Sequence, residues 1–263
     1  KLKHLAQDKI SRSANPAVVR NSTVFFKNLQ ELIKQENLVK KGSKVDFYEY
    51  GRAGSQTTIA LQNFISDLEG AYRTFLTSTG FGAVALAILS ICRPKDEIIV
   101  TDAVYAPTRM ITSKLLKEFN VKTHFYNPEN LQSLQTKINK KTKMIFVENP
   151  GSNTFEFQDL SKIIKIAKKR KIITAIDNTW GTPFFIKPLK IGFDMSISSA
   201  TKYLSGHSDV MLGSLAVNKK VFEKVKFCNK LLGYRASPDD AYLVLRGLRT
   251  LDVRLKKHEE STK

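Results

Sequence analysis

Ile172-Ile173-Thr174-Ala175-Ile176-Asp177-Asn178-Thr179 and, further on, Met195-Ser196-Ile197-Ser198-Ser199-Ala200-Thr201-Lys202 share one plan: a short apolar, β-rich run that ends in polar residues. Runs of this length read as strands buried on both faces of a sheet. The sequence around them alternates with helical spacing. Leu160, Ile163, Ile164 and Ala167 repeat at i, i+3, i+4, i+7 just before the first run, and Leu61, Phe64, Ile65 and Leu68 do the same upstream. Further strands are predicted at Thr74–Ser78, Ile98–Thr101, Val121–Tyr126 and Lys143–Val147. Helices are predicted from Gly80 through Ile91 and along Ile111, Leu115, Leu116 and Phe119. Strands alternating with helices imply an α/β fold in three layers, a mostly parallel sheet flanked by helices. Such sheets bind ligands at the carboxyl ends of their strands, where this sequence puts its polar residues.

Composition narrows the class. The chain has 263 residues, 42% hydrophobic and 25% charged, as in ordinary globular proteins. The longest apolar run, Phe81 to Ile91, falls well short of the roughly 20 residues a membrane-crossing helix needs. The polar start Lys1-Leu2-Lys3-His4 is not followed by a signal-peptide core, so a cytoplasmic protein without membrane association is expected. Cys92 and Cys228 are too few for a disulfide framework, and Cys92, after an apolar run, reads as a buried thiol. The scattered histidines predict no metal site. The net charge of +19 raises nucleic-acid binding. Against it, the charges are spread out and mostly Lys. The densest run, Lys168-Lys169-Arg170-Lys171, closes a predicted helix, where cations complement the dipole. No nucleic-acid partner is expected.

Several residues point to chemistry. Asp177 ends a buried strand, where a carboxylate needs a cation or donor nearby; the pyridinium nitrogen of pyridoxal phosphate (PLP) is one such partner, a helix cap the ordinary alternative. Lys202 follows the next strand. Buried there, its amine would be a nucleophile suited to Schiff-base formation, while the ordinary alternative is a surface lysine. Ser199 and Thr201 beside it offer hydroxyls to a phosphate. Ser78-Thr79-Gly80-Phe81-Gly82 joins a strand to a helix, as a phosphate-binding turn does; tight packing explains its glycines equally well. Tyr50 and Arg52 pair a phenol with a guanidinium suited to phosphate, and Tyr105 is placed to stack on a planar cofactor. Each of these three is also compatible with plain packing. Their order after successive strands brings phosphate turn, aromatic, Asp and Lys to one sheet edge.

Three motifs carry a family resemblance: Ala200-Thr201-Lys202-Tyr203-Leu204-Ser205-Gly206-His207-Ser208-Asp209, Ile176-Asp177-Asn178-Thr179-Trp180, and Arg246-Gly247-Leu248-Arg249-Thr250-Leu251. From Asn15-Pro16 to its end the chain resembles the Cys/Met-metabolism PLP enzymes, in their cystathionine β-lyase branch. The resemblance implies the fold type I, aminotransferase-like fold and PLP bound to Lys202, which also moves protons. It implies Asp177 at the ring nitrogen, Tyr105 on the ring, and the amides of Gly80 and Phe81 with the hydroxyls of Ser199 and Thr201 at the phosphate. Tyr50 and Arg52 would reach the phosphate of a neighbouring subunit, with Tyr50 also activating the substrate amine. The assembly would then be a dimer with shared sites, paired into a homotetramer.

The implied reaction is α,β-elimination of L-cystathionine to homocysteine, pyruvate and ammonia, in methionine biosynthesis. Glu148-Asn149-Pro150-Gly151-Ser152-Asn153 and Trp180 point to the β-lyase branch rather than to γ-synthase or γ-lyase chemistry. The expected organisation is an arm over 1–55, a PLP-binding domain over 56–250, and the beginning of a missing C-terminal domain over 251–263. With that domain would go the arginine that grips the substrate carboxylate. The alternatives are γ-elimination or γ-replacement of the γ-synthase or γ-lyase type, and a truncated non-catalytic remnant acting by interaction.

Overall fold

The computed structural model describes residues 14–40 and 48–263; the polar start at Lys1–His4 and part of the expected arm lie outside them. The strands are β1 (Arg73–Thr77), β2 (Glu97–Thr101), β3 (Lys122–Tyr126), β4 (Thr142–Glu148), β5 (Ile173–Asp177), β6 (Met195–Ser199) and β7 (Gly213–Val217). They form one sheet in the order β1-β7-β6-β5-β4-β2-β3. From β3 to β6 every pairing is parallel, whereas β7 runs antiparallel to both β6 and β1. The sequence reading did not place β7. The connection from Ser199 to Gly213 contains turns and no helix, so it cannot make the crossover that a parallel neighbour of β6 requires.

The helices, in chain order, are α1 (Leu29–Lys40), α2 (Gln56–Glu69), α3 (Gly80–Ile91), α4 (Ala106–Met110), α5 (Leu116–Glu118), α6 (Leu131–Lys137), α7 (Leu160–Lys169), α8 (Thr182–Phe185), α9 (Pro188–Ile191), α10 (Phe222–Leu232), α11 (Pro238–Leu248) and α12 (Leu251–Thr262). No helix among the described residues is long and apolar enough to cross a membrane. Side chains alternate across the sheet as a two-residue period demands. Ile98, Val100, Met144, Phe146 and Ala175 join the core beneath α3 and α10. Ile99, Ile145, Val147 and Ile176 join the one beneath α7. A third cluster packs α2, α11 and α12 together through Leu61, Phe64, Ile65, Leu245, Leu251 and Leu255. Burying side chains of this size stabilises by about 2–3 kcal/mol each.

The helix expected along Ile111, Leu115, Leu116 and Phe119 is interrupted. Ile111–Leu115 is a π-helical turn between α4 and α5. Its wider turn shifts the apolar stripe, so Ile111 and Leu116 are buried while Leu115 and Phe119 are 37% and 48% exposed. Cys92 is buried as expected, and burial pushes its thiol up to about 12.

Glu69, at the end of α2, is buried under β6. It accepts a hydrogen bond from Ser196 Oγ at 2.9 Å, and its other oxygen has no partner among the described residues. Burial pushes its carboxyl up to about 7, against the opposing pull of Ser196 and of the Lys187 charge. With the folded-state value raised in this way, the contribution of Glu69 to stability is fully present below the ordinary glutamate value of 4.5 and is lost as pH rises from there to about 7. Urea unfolding of the cofactor-free protein should show stability falling on the order of 3 kcal/mol from this group as pH rises through that range. Glu69→Gln should remove that part of the slope, and parallel curves for both proteins would show that Glu69 does not titrate there.

Candidate active site

The carboxyl edge of the parallel strands opens into a cavity of about 1110 Å³, lined among others by Gly80, Phe81, Tyr105, Asp177, Ser199, Thr201 and Lys202. Seven of the nine residues singled out in the sequence thus meet in one place.

One wall is the turn from β1 into α3. Thr79 caps the helix, its Oγ1 accepting the Gly82 N–H at 3.0 Å. As the first residues of α3, Gly80 and Phe81 have no partner within the helix for their N–H groups, and the dipole adds positive potential. Gly80 is held close to the end of β6: a Cβ on it would lie 2.6 Å from Ser199 Oγ and 2.7 Å from Ser199 Cβ. β7 closes the turn from the other side, since a Cβ on Gly213 would lie 2.2 Å from the Thr79 carbonyl oxygen.

The exits of β5 and β6 are locked together. The Thr179 N–H donates to Asp177 Oδ1 at 3.0 Å, and Thr179 Oγ1 accepts the Ser199 N–H at 2.8 Å. Asp177 is 9% exposed and has no ion-pair partner among the described residues. Burial raises its pKa, only partly opposed by the bonds to Thr179. It pairs across the sheet with Glu148, the last residue of β4. Glu148 Oε2 accepts the Tyr105 N–H at 2.7 Å. Burial first, and then the nearby Asp177, push the Glu148 carboxyl up to about 8. The Tyr105 ring, 46% exposed, stands at the opening of α4.

Lys202 differs from expectation: its side chain is exposed in the cavity rather than buried. It lies in the turn after β6, whose inward positions are taken by Ala200 and Leu204. The Thr201 hydroxyl is also less free than expected, accepting from the Leu212 N–H at 2.9 Å and donating to the Leu212 carbonyl at 3.3 Å. Tyr50 and Arg52 do not line the cavity. Tyr50 bridges to Thr23, and Arg52 Nη1 donates to the Lys230 carbonyl at 3.2 Å.

The sequence reading passed over Glu148 as a site residue, although it stands after β4 as Asp177 does after β5. It also passed over Arg254, which lines the cavity with its donors committed: Nε to Thr250 Oγ1 at 3.1 Å, Nη1 to the Tyr203 carbonyl and Nη2 to the Gly247 carbonyl, both at 2.8 Å. That guanidinium pins the Lys202 turn to α11. Nothing in the spacing of 202 and 254 announces the contact. Among the described residues no group of His, Cys, Asp and Glu side chains could hold a metal ion.

The buried carboxylate calls for a cationic N–H, the helix N-terminus for an anion, the exposed amine for a carbonyl and the phenol ring for a flat partner. One small molecule, a phosphorylated pyridine aldehyde, answers all four, and the protein is of the pyridoxal-phosphate class. Comparison with known proteins places it more narrowly. The profile of the family described as Cys/Met metabolism PLP-dependent enzyme matches residues 2–263, and the chain belongs to that family.

A Rhizobium johnstonii protein provisionally named cystathionine beta-lyase is 40% identical over 263 residues, 99% of this chain and 64% of its own length. The L-alanine/L-glutamate racemase of Wolbachia pipientis wMel is 32% identical over 255 residues, covering 95% of this chain and 62% of the racemase. Among solved structures, cystathionine gamma synthase from Xanthomonas oryzae pv. oryzae, in complex with aminoacrylate and cysteine, superposes with a TM-score of 0.85. It is 30% identical, over 95% of this chain and 62% of the synthase chain. The chain therefore spans less than two thirds of the length of each of these proteins. The cofactor is PLP, and the fold is that of the family's PLP enzymes.

Gly80→Ala should weaken PLP binding about tenfold, roughly 1.4 kcal/mol, because the new methyl meets Ser199 in the turn from β1 into α3. Spectroscopic titration of the cofactor checks this; unchanged affinity in a folded variant would show that the turn has room to spare.

Proposed function

We infer that this chain holds the cofactor in a carbon–sulfur lyase that carries out α,β-elimination on thioether amino acids such as L-cystathionine. The observation that carries the reading is the convergence of an exposed Lys202, a buried Asp177 without a cation and the Tyr105 ring on one cavity at the carboxyl edge. PLP, when bound, supplies an electron sink for the carbanion left by α-proton removal. Asp177 would hold a proton on the ring nitrogen, its burial making the charge pairing strong. The α3 N-terminus and the Ser199 hydroxyl would seat the phosphate. Lys202 would anchor the aldehyde carbon and then carry the α-proton, a task for which its exposed, mobile amine is placed. Tyr105 would cover the ring and keep water from that face.

The β-lyase reading is favoured over the γ-enzymes by Gly151-Ser152 after the β4 exit and by Trp180 on the cavity wall. The likeness to a γ-synthase and to a racemase makes the product the discriminating measurement. Tyr50 and Arg52 lie outside their own cavity and Tyr50 is half exposed, which supports a dimer in which they complete the neighbour's phosphate site, with a homotetramer built from such dimers.

Borohydride reduction of the PLP-loaded protein followed by peptide mapping should place the cofactor on Lys202. Lys202→Ala should lose the adduct; an adduct persisting in that variant would move the anchor to another lysine. With L-cystathionine the protein should release pyruvate and ammonia. Release of 2-oxobutyrate would assign it to γ-elimination, and racemised substrate without ammonia would remove it from the lyases.

A further inference from the structure

Glu148 is a costly residue to keep where it is. Its carboxyl is deeply placed beside a second acid, Asp177, on the adjoining strand, and no cation among the described residues pairs with it. Two neighbouring acids in a poorly solvated site destabilise a fold. What Glu148 does is reach across 43 positions of chain to take the N–H of Tyr105 at 2.7 Å.

Tyr105 needs such an acceptor. It is the N-cap residue of α4, that helix has no side-chain cap hydrogen bond of its own, and Pro107 is its second residue. The Tyr105 carbonyl accepts the Arg109 N–H of α4 at 3.0 Å, so it is the Tyr105 N–H that depends on an acceptor from outside the helix. The rest of the neighbourhood is arranged to hold Glu148 still. Gln158 Nε2 donates to the Glu148 carbonyl at 2.9 Å, the Gln158 N–H donates to Asn149 Oδ1 at 2.7 Å, and the buried Tyr126 hydroxyl donates to Gln158 Oε1. A second strap runs parallel to the first, the Ser152 N–H donating to the Ala103 carbonyl at 2.8 Å. A Cβ on Gly151 would lie 2.6 Å from the Ala103 methyl, so the β4 exit and the Ala103–Tyr105 segment are pressed together along their length.

We propose that Glu148 is a positioning residue: with its main chain held by the Tyr126–Gln158 chain, its carboxyl oxygen fixes the backbone of Tyr105 and so sets where the Tyr105 ring lies against the bound cofactor. This rests on the reading that the cavity seats PLP with Tyr105 on its ring. An oxygen acceptor is what the role requires, not a negative charge. Burial favours the neutral acid at ordinary pH, and the carbonyl oxygen of a neutral acid or an amide accepts the same N–H.

Two near-isosteric substitutions separate the idea from mere structural support. Glu148→Gln keeps the acceptor; Glu148→Met keeps the volume and loses it. Both relieve the crowding with Asp177, so both should fold, and the cofactor-free Met variant should unfold at a higher temperature than the native protein. PLP affinity and the visible circular dichroism of the bound cofactor should be native-like in Glu148→Gln, within about twofold. In Glu148→Met affinity should fall about tenfold, the worth of a buried hydrogen bond, and the dichroic band should change in size. In a Tyr105→Ala background the Met substitution should add less than about a twofold further loss, since the two residues act through one contact.

Native dichroism and affinity in Glu148→Met, a Gln variant as impaired as the Met variant, or additive losses in the double variant would each overturn the proposal. Failure of the underlying site reading looks different: borohydride would then leave no adduct on Lys202 in the native protein.

Discussion

Three short contacts at the ends of β5 and β6 hold the site together. The Thr179 N–H takes Asp177, the Thr179 hydroxyl takes the Ser199 N–H, and Ser199 in turn lies against Gly80. The carboxylate, the β6 exit and the turn into α3 are therefore separated by single contacts, none of which passes through a long flexible side chain. β7 completes the arrangement by bringing Gly213 onto the carbonyl of Thr79. The set spacing between the turn into α3 and the buried acid follows from strand pairing and these short contacts. This explains why an antiparallel strand is worth inserting into an otherwise parallel sheet.

The acids carry the energetic tension of this fold. Glu69, Glu148 and Asp177 are all held where a charge is poorly solvated, and burial raises each of them. Their cost is offset by three apolar clusters that cover both faces of the sheet and the outer helices. The two site acids differ from Glu69 in an important respect. A cation bound at the cavity relieves Asp177 and lowers the cost of its neighbour, so a cofactor that binds only the folded state adds to stability by mass action. Glu69 has no such prospect under β6, and its burden falls on the fold at every ligand concentration.

What was legible in the sequence follows from what is local. Ile99, Ile145 and Ile176 could be assigned to buried strands because consecutive apolar residues suffice for that inference, with edges misplaced by a residue. Asp177 and Lys202 could be found because a strand end followed by a polar residue is a pattern along the chain. β7 was missed because its direction depends on the absence of a crossover. Leu115 and Phe119 were assigned to the wrong face because a π turn does not show in periodicity. Lys202 was expected to be buried because it follows a buried strand, whereas Ala200 and Leu204 take the inward positions and leave it in the cavity. Glu148 and Arg254 act across 43 and 51 positions of sequence, on Tyr105 and Tyr203, and no spacing rule reaches that far.

The Lys202 turn shows how precision and freedom are divided at this site. Its backbone is tied at every step: the Lys202 N–H donates to the Ser199 carbonyl at 3.0 Å, the Ser205 N–H to the Ala200 carbonyl at 2.9 Å, and the Gly206 N–H to the Lys202 carbonyl at 2.8 Å. Arg254 clamps the next residue, and Gly206, at a φ of 76°, leaves room for that guanidinium, which a Cβ would meet at 2.3 Å. The side chain itself is left exposed. A residue that would, on the proposed reading, first hold a cofactor and then carry a proton has to be fixed at its root and free at its tip. A fully buried lysine would gain nucleophilicity from desolvation but lose the travel that the second task needs. The exposed amine on an immobilised turn makes the other choice, and its desolvation would have to come from the ligand that fills the cavity.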